Sequence, residues 1–278
     1  MQGKTVVVTG GTSGIGQVAA ERLAGQGARI VLVARDPVRG EATLARLRKA
    51  GPGAAHSVHY GNLSEIAEIK RVGAEIAAAE PRIDVLVNNA GALFNARKLT
   101  PDGLEYTFAT NHVAYFVLTE LLLPSLKAAG KARIVSTASD AHKGAKLDFD
   151  DLQAAKSFSG FAVYGRSKLC NILWTRELAR RLAGTGVTAN CLHPGFVATR
   201  FGDQSGGLLA PAVRIAKAFA ISPEKGAETI VYLASSPDVE GVSGGYFYKC
   251  RPATPTKEAQ DDASARRLWD VTAKITGL

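Results

Sequence analysis

Short runs of apolar, often β-branched residues recur along the chain, separated by longer segments with helical periodicity. Continuous apolar runs of about four to eight residues are typical of strands that are buried on both faces in a parallel sheet. The strands predicted in this way, in chain order, are Thr5–Thr9, Arg29–Ala34, 54–60, 83–87, 132–137, 187–192 and 245–248.

Amphipathic segments fill the intervals between these runs. They predict helices over 17–26, from Pro37 onward, and over 64–79, 103–123, 164–183 and Pro223–Ser235. Because strand and helix alternate, we predict an α/β fold with a single doubly wound parallel sheet of about seven strands and helices on both faces. We expect one domain, residues 1–278, with a substrate flap at 199–222 and a C-terminal tail at 254–278 docked on the body.

A glycine-rich turn, GGTSGIG at residues 10–16, joins the first predicted strand to the first helix. Glycines let the backbone approach a pyrophosphate, and the free N–H groups of a helix N-terminus favour an anion. A generic strand–helix turn is the alternative, but the flanking strand and helix favour a dinucleotide site.

The end of the second predicted strand bears on the choice of dinucleotide. An acidic residue about 20 residues beyond the glycines binds a ribose 2′-hydroxyl, whereas an arginine accommodates a 2′-phosphate. Arg35 takes this place and favours NADP(H) over NAD(H). Asp36 competes as a ribose ligand, although capping the helix that begins near Pro37 is the better interpretation.

Tyr164 and Lys168 are four residues apart and therefore share one face of a predicted helix. A lysine ammonium favours the phenolate, so we expect it to lower the pKa of Tyr164 towards a range useful for acid–base chemistry. Taken alone, so short a spacing favours an ordinary surface helix with an unremarkable tyrosine and lysine. It gains weight only from the other motifs.

Several polar residues occupy informative positions. Asn88 and Asn89 end a predicted strand, where they either fix the floor of a cleft or mark a turn. Asn111 lies mid-helix, which indicates a bend or a side-chain role because asparagine is a mediocre helix former. Ligands of open parallel sheets bind at the C-terminal ends of the strands, where Asn88, Ser139 and Pro194 also fall.

Composition narrows the function classes. The formal charge of +9 indicates an anionic partner, but the basic residues are scattered and nucleic acid is disfavoured. The odd set Cys170, Cys191 and Cys250 has no C-x-x-C spacing, which predicts reduced thiols in the cytoplasm and no metal site. The sequence shows no signal peptide and no run long enough to span a bilayer, so we expect a cytoplasmic protein without a transmembrane segment.

Five motifs occur in the order typical of the short-chain dehydrogenases/reductases: T-G-x-x-x-G-I-G at 9–16, N-N-A-G at 88–91, Ser139, Y-x-x-x-K at 164–168 and P-G at 194–195. The chain resembles this family over essentially its whole length. TNHVAYFVLT at 110–119 and SKLCNILWTRELARRLAGTGVTANCLHPG at 167–195 are similar to its retinol-dehydrogenase-like branch. The resemblance implies a Rossmann-type fold and hydride transfer between a nicotinamide cofactor and a carbonyl/alcohol pair.

The resemblance also implies a catalytic tetrad. Tyr164 matches the general acid/base, and Lys168 the residue that binds the nicotinamide ribose and lowers the tyrosine pKa. Ser139 matches the hydroxyl that bonds the substrate oxygen, and Asn111 the asparagine that positions a water beside the lysine. The histidines His112, His142 and His193 are left with structural or loop roles, because the tyrosine already supplies the acid.

Cofactor contacts implied by the resemblance are Gly10, Thr12, Ser13, Gly14, Ile15, Gly16, Arg35, Asn62, Leu63, Asn89, Ala90, Gly91, Pro194, Gly195, Val197 and Thr199, besides Tyr164 and Lys168. The glycine turn faces the phosphates, Asn62 and Leu63 the adenine, and the residues from Pro194 the nicotinamide carboxamide. Asn62 stands where the family usually has an aspartate, which puts the affinity for the adenine of the cofactor in doubt. Ala138 replaces a common serine, leaving Ser136 as a rival to Ser139.

The leading hypothesis is an NADP(H)-dependent oxidoreductase acting on a small carbonyl or alcohol. Phe158, Phe161 and the apolar flap indicate a lipophilic substrate, or simply core packing. The alternative is a non-catalytic NADP(H)-binding sensor or scaffold. The branch often carries an N-terminal membrane anchor, which we do not find in this sequence, so membrane retinoid metabolism does not follow from the resemblance. The resemblance is compatible with a homodimer or homotetramer through the helices near Asn111 and Tyr164.

Overall fold

A computed structural model describes residues 1–195 and 221–278 of the chain. Its strands are β1 (Thr5–Thr9), β2 (Arg29–Ala34), β3 (Ser57–Tyr60), β4 (Val85–Asn88), β5 (Arg133–Thr137), β6 (Thr188–Leu192), β7 (Tyr246–Tyr248) and β8 (Arg251–Pro252). They form one sheet in the order β3-β2-β1-β4-β5-β6-β7-β8. The strands β1 to β7 run parallel, and β8 pairs antiparallel with β7.

Helices cover both faces of the sheet. The described helices are α1 (Gly14–Gly25), α2 (Pro37–Ala50), α3 (Ile66–Ala79), α4 (Tyr106–Phe108), α5 (Ala114–Ala128), α6 (Gly160–Arg181), α7 (Pro223–Ser235) and α8 (Asp262–Thr276). A π-helical turn, Ala109–Val113, joins α4 to α5, and Asp140–His142 forms a 3-10 turn. The predicted fold class, a doubly wound parallel sheet, is confirmed.

Alternation within the strands explains the continuous apolar runs. In β1, Val6 and Val8 contact the cluster formed with α1 and α7, whereas Val7 contacts the cluster formed with α3, α5, α6 and α8. Successive side chains of a strand point to opposite faces, so a strand covered on both sides needs apolar residues at every position. All three valines are fully buried.

Three features differ from the prediction. Helix α1 begins at Gly14 rather than at 17. Glycine is a poor helix former, so helix propensity disfavours Gly14 and Gly16, but the left-handed backbone at Gly14 and the close packing at Gly16 require glycine there. Helix α5 continues past Pro124, which is exposed, since Leu122 and Leu126 on either side of it are fully buried. The short strand β8 was not predicted, because two residues carry too little periodicity to identify a strand.

The C-terminal helix α8 lies against α6 and the start of α5. Leu268 is fully buried, and the ring of Trp269 meets that of Phe116 edge to face at 4.9 Å between centroids. The guanidinium of Arg181 lies 4.3 Å from the centre of the same indole. Lys70 of α3 donates to the carbonyl of Thr276 and fixes the end of the helix.

Candidate active site

The turn between β1 and α1 is so tight that glycine is required at several positions. Gly10 has φ of +65° and Gly14 of +56°, both in the left-handed region. A Cβ on Gly10 would lie 2.7 Å from Cα of Ala90, and one on Gly16 would overlap the carbonyl oxygen of Gly10. The turn therefore remains bare backbone, which is the surface that a pyrophosphate needs.

The N-terminus of α1 follows directly. Ser13 is its N-cap, and within the described chain its side chain makes no capping hydrogen bond to the helix. The first turn carries no acidic side chain. Thr12 and Ile15 are partly buried, and Ile15 packs on the core. Since the first N–H groups of a helix lack intrahelical partners and its dipole is positive there, this turn fits a phosphate group.

Asn89 ties three strand ends together. Its Nδ2 donates to the carbonyl of Gly10 at 3.1 Å, and its Oδ1 accepts from Oγ1 of Thr137 at 3.2 Å. The hydroxyl of Thr9 in turn accepts from the backbone N–H groups of Asn89 and Ala90, at 2.9 and 3.1 Å. The ends of β1, β4 and β5 thus form one hydrogen-bonded floor beside the glycine turn, as the cleft-floor interpretation of Asn89 predicts.

Helix α6 brings Tyr164 and Lys168 to this edge, one turn apart. Both are buried, with 9% and 2% of their surface exposed. Nζ of Lys168 lies 5.6 Å from the centre of the Tyr164 ring and donates to the carbonyl of Thr137 at 3.0 Å. Because Thr137 is the last residue of β5, this bond fixes the lysine at the C-terminal edge of the sheet.

Asn111 lies in the π-helical turn and reaches the same place. Its Nδ2 donates to the carbonyl of Ala92 and to Oγ of Ser167, both at 2.9 Å, and its Oδ1 accepts from the N–H of Ala92 at 2.8 Å. A Cβ on Gly91 would lie 3.3 Å both from this Oδ1 and from Nζ of Lys168. π-Helical turns are frequent at functional sites.

Ser139 begins the 3-10 turn after β5. Its hydroxyl accepts from the N–H of Ala141 at 3.1 Å, and its side chain is hydrogen-bonded to that of Tyr164. Its rival Ser136 is fully buried within β5, and its hydroxyl has no hydrogen-bond partner among the described residues. The geometry therefore favours Ser139 over Ser136.

Burial is the largest cause of the pKa shifts of Tyr164 and Lys168. It raises the pKa of Tyr164 to about 12, opposed by the hydrogen bond with Ser139. It lowers the pKa of Lys168 to about 7, and among the described residues no carboxylate offsets this cost. The predicted lowering of the tyrosine pKa is therefore wrong for the polypeptide alone, because removal from water disfavours the charged form of each group.

The predicted adenosine-side residues lie further along the same edge. Arg35 is exposed just after β2, and Asp36 caps α2 by accepting from the N–H of Arg39 at 3.2 Å. This bond supports the capping role of Asp36. Asn62 follows β3, and its carboxamide is hydrogen-bonded within its own loop, where Oδ1 accepts from Oγ of Ser64 at 2.9 Å. Leu63 is buried.

The predicted nicotinamide-side residues are only partly described. Pro194 and Gly195 follow β6 and are partly buried, and Gly195 has φ of +89°. A Cβ on Gly195 would lie 3.1 Å from Cδ1 of Ile221, a tight contact, and the left-handed backbone itself favours glycine here. Val197, Thr199 and the flap at 199–222, apart from its last two residues, lie outside the described residues.

No sequence motif identifies the backbone groups and small side chains that hold the predicted residues in place. Thr137 serves Lys168 through its carbonyl and Asn89 through its hydroxyl, yet it looks like any strand residue. Ser167 bonds Asn111 but has no distinctive spacing of its own. Only the register of the strands and helices brings these groups together.

Comparison with known proteins identifies the arrangement. The short chain dehydrogenase family model matches residues 4–206. The chain belongs to the short-chain dehydrogenase family. Mouse retinol dehydrogenase 14 is 42% identical over 291 residues, covering 100% of this chain and 87% of that protein.

Solved structures agree with this assignment. A protein from Mycobacterium paratuberculosis has a TM-score of 0.79 and 31% identity, over 99% of this chain and 94% of that one. The 3-oxoacyl-(acyl-carrier-protein) reductase of Agrobacterium tumefaciens, solved with NADP bound, has a TM-score of 0.71 and 27% identity, over 88% of this chain and 92% of that one. This chain is therefore a retinol-dehydrogenase-like oxidoreductase that acts on CH–OH groups and binds NAD(P).

None of the helices within residues 1–195 and 221–278 is long and apolar enough to cross a membrane.

Proposed function

We propose that this protein is an NADP(H)-dependent oxidoreductase that interconverts a lipophilic aldehyde or ketone and its alcohol. The observation that carries the proposal is the convergence of Tyr164, Lys168, Ser139 and Asn111 beside a bare glycine turn at one edge of the sheet. A group that donates a proton and a turn that accepts a pyrophosphate are both needed for such a reaction, and both are present here.

Each member of the tetrad has a distinct role in this proposal. In reduction, the hydroxyl of Tyr164 gives its proton to the carbonyl oxygen, and in oxidation it takes the proton back. Ser139, already bonded to Tyr164, donates to the same oxygen and stabilises its developing negative charge. Lys168, with a water that Asn111 would position, replenishes the proton from the protein side, since Gly91 keeps the space between the two side chains open.

The glycine turn, Arg35 and the floor at Asn89 to Gly91 would hold the cofactor. The fit rests on the left-handed Gly10 and Gly14, on the uncapped N-terminus of α1 and on the absence of acidic residues in its first turn. When bound, the nicotinamide dinucleotide supplies or accepts the hydride. Thr12, Ser13 and Ile15 complete the phosphate side, with Asn62 and Leu63 at the adenine; Pro194, Gly195, Val197 and Thr199 complete the carboxamide side.

A lipophilic substrate is proposed because of the apolar surface before Tyr164. Phe161, in the first turn of α6, is 68% exposed, and it lies three residues from Tyr164 on neighbouring positions of the helix surface. A single exposed apolar side chain is common on protein surfaces, so the support comes from its position one helical turn before Tyr164, where a lipophilic substituent would cover it.

Steady-state rates with NADPH and with NADH, on a panel of long-chain, cyclic and short carbonyl compounds, test the proposal. We expect turnover with NADPH to exceed that with NADH, and kcat/KM to rise with the length of the apolar substituent. A protein that binds NADPH but oxidises none with any compound would instead be a sensor or scaffold, which needs the glycine turn but not the tyrosine–lysine pair.

The preference for NADP(H) is assigned to Arg35. Replacing it by alanine removes charge-assisted hydrogen bonds to a 2′-phosphate, so KM for NADPH should rise about tenfold or more. KM for NADH should not change, because NADH lacks this phosphate. Arg48→Ala, an exposed arginine at the far end of α2, is the matched control. An equal loss with both cofactors would remove Arg35 from this role.

We further propose the cytoplasm as the compartment, because all three cysteines are unpaired in the described chain and two are buried. A homodimer or homotetramer stays a prediction. Subunit contacts through α5 and α6 would have to accommodate α8, which already packs on both helices.

A further inference from the structure

The imidazole of His142 connects the turn that carries Ser139 to the segment 253–256, which follows β8. The ring is fully buried. Its Nδ1 lies 2.7 Å from the carbonyl oxygen of Ser139, and its Nε2 lies 3.4 Å from the backbone nitrogen of Thr256. The rings of His142 and Tyr246 of β7 meet edge to face, with centres 5.4 Å apart. Three parts of the chain that are distant in sequence therefore meet at one imidazole.

Both hydrogen-bond partners of the ring are backbone groups, and together they determine its tautomer. The carbonyl of Ser139 can only accept, which places the ring proton on Nδ1. The N–H of Thr256 can only donate, which requires a lone pair on Nε2. A single neutral tautomer therefore satisfies both bonds. Burial lowers the pKa of His142 and favours this neutral form.

The other side of the same turn packs against α6 beside Tyr164. A Cβ on Gly165 would lie 2.5 Å from the carbonyl oxygen of Ala141, so only glycine lets the helix approach the turn this closely. The turn that begins at Ser139 is thus supported by the backbone of α6 on one side and by the His142 ring on the other. A displacement of this turn would move the Ser139 hydroxyl relative to Tyr164.

The segment 253–256 is itself fixed to the body of the protein. The N–H of Ala253 donates to the carbonyl of Tyr246 at 2.8 Å, which joins the segment to β7. The side chain of Gln260 donates to the carbonyl of Pro255 at 2.9 Å. The bond from Thr256 to His142 therefore connects the imidazole to a part of the chain that is already held in place.

We propose that His142 is a positioning residue, which holds Ser139 at the reacting oxygen by tying its carbonyl to the segment 253–256. This proposal rests on the proposed function of Ser139. The carbonyl accepts from Nδ1 at 2.7 Å and from the backbone N–H of His142 at 3.2 Å, so the imidazole makes the shorter bond. Among the described residues, the ring nitrogens bond only to backbone groups, so His142 positions Ser139 without exchanging a proton with the substrate.

Two simpler roles for His142 make different demands on the side chain. Filling space beside Tyr246 needs no polar atom, and a buried imidazole costs free energy unless its hydrogen bonds are needed. Anchoring the segment 253–256 needs only Nε2, which accepts from Thr256. Only the positioning role depends on the donor at Nδ1.

The variants His142→Leu and His142→Asn separate these roles. Leucine removes both bonds, whereas the amide of asparagine lies near the position of Nδ1 and can still donate to the Ser139 carbonyl. We expect kcat of His142→Leu to fall about fivefold, the equivalent of one neutral hydrogen bond, and His142→Asn to retain most of kcat. KM for NADPH should not change, because the glycine turn follows β1, which β4 separates from β5. Equal values of kcat for the two variants would overturn the proposal.

The matched control is His56→Leu, at a second buried histidine with two backbone partners. Nδ1 of His56 accepts from the N–H of Ile30, and its Nε2 donates to the carbonyl of Gly51, both at 3.0 Å. Ile30 lies near the start of β2, whereas the site lies at the C-terminal ends of the strands. This variant should lower the melting temperature about as much as His142→Leu but leave kcat unchanged. A matching loss of kcat would assign the effect to general destabilisation and overturn the proposal.

A double-mutant cycle tests whether His142 acts through Ser139. In the Ser139→Ala background, His142→Leu should have no further effect on kcat, because the hydroxyl that it positions is gone. Losses of kcat that multiply independently would contradict the positioning role.

Long-range ¹H–¹⁵N NMR of the unmodified protein tests the contact without relying on turnover. Near neutral pH, His142 should be the Nδ1–H tautomer and His56 the Nε2–H tautomer, with His142→Asn and His56→Leu used to assign the signals. An Nε2–H tautomer of His142 would overturn the proposal. Absence of turnover with any carbonyl compound would contradict the proposed function and the positioning role with it, while the expected tautomer would show that the bond to Ser139 itself is present.

Discussion

Lys168 is the residue at which the demands of catalysis and of stability conflict most. The residue is 2% exposed, and its ammonium contacts one carbonyl and the faces of two tyrosine rings. A buried ammonium without a carboxylate partner costs folding free energy, because water solvates the charge better than these groups do. Functional sites often carry such a cost, since the chemistry requires the charge at that position.

The variant Lys168→Met should stabilise the protein without cofactor. With the lysine pKa near 7 in the folded state and near 10.4 in the unfolded state, the unfolded state binds more protons between these values. The cost of burial is therefore full below pH 7 and disappears as pH rises towards 10.4. Below pH 7, methionine should raise the free energy of unfolding on the order of 4 kcal/mol.

Urea unfolding at several pH values measures this effect. The gain should shrink steadily between pH 7 and pH 10, and Lys127→Met, at an exposed position of α5, should show neither the gain nor its pH dependence. A gain that is independent of pH would indicate better apolar packing and contradict the assigned cost.

The sequence predicted the identity of the active-site residues better than their electrostatics. The spacing of Tyr164 and Lys168 identifies a shared helix face without any structure. The direction of the tyrosine pKa was wrong because a spacing does not show how deeply a pair is buried. The acceptor of the Lys168 hydrogen bond, the carbonyl of Thr137, could not be predicted. The packing of α6 against β5 determines which backbone carbonyl the lysine reaches.

At the scale of elements, the π-helical turn shapes the site most. The turn inserts Asn111 between Ala92 and Ser167. An asparagine within an apolar helix indicated a bend or a side-chain role, and the hydrogen bonds of Asn111 from a π-helical turn agree with the side-chain role. The type of turn could not be predicted, because it depends on packing against α6 and α8. The predicted tail helix did contain Leu268 and Trp269, but its partners were not evident from its own sequence.

Removing the core contact of α8 should loosen the whole C-terminal helix. Leu268→Ala removes a fully buried side chain and leaves a cavity, so the free energy of unfolding should fall by about 2–5 kcal/mol. Arg266→Ala, exposed on the same helix, should cost far less. Chemical denaturation measures both variants. If the two lose the same free energy, α8 is not held by its apolar face.

At the scale of the whole molecule, the strand order explains why the site forms where it does. The chain leaves β1 for β2 and β3 on one side and then returns to β4 on the other, so β1 and β4 are neighbours whose connections diverge. A crevice opens at such a switch point, at the C-terminal ends of the strands. The glycine turn after β1 and the Asn89 floor after β4 lie on its two sides.

This architecture was predictable because each element carries a local signal that agrees with the fold. The apolar runs predicted seven strands, β1 to β7, within a few residues of their observed bounds, and the resemblance added the topology. The antiparallel β8 and the docking of α8 depend on tertiary contacts, which no single segment encodes. The same distinction holds for function: the reaction class follows from five motifs, whereas the substrate depends on surfaces that assemble only in the fold.

The most direct test of the account is turnover by Tyr164→Phe, measured together with its NADPH dissociation constant. The substitution removes only the hydroxyl, so turnover should fall by about 10²-fold or more while NADPH binding stays nearly unchanged. Tyr232→Phe, on α7 at the opposite face of the sheet, should retain full activity. Turnover by Tyr164→Phe close to that of the unmodified protein would contradict the role of Tyr164 as the acid and base.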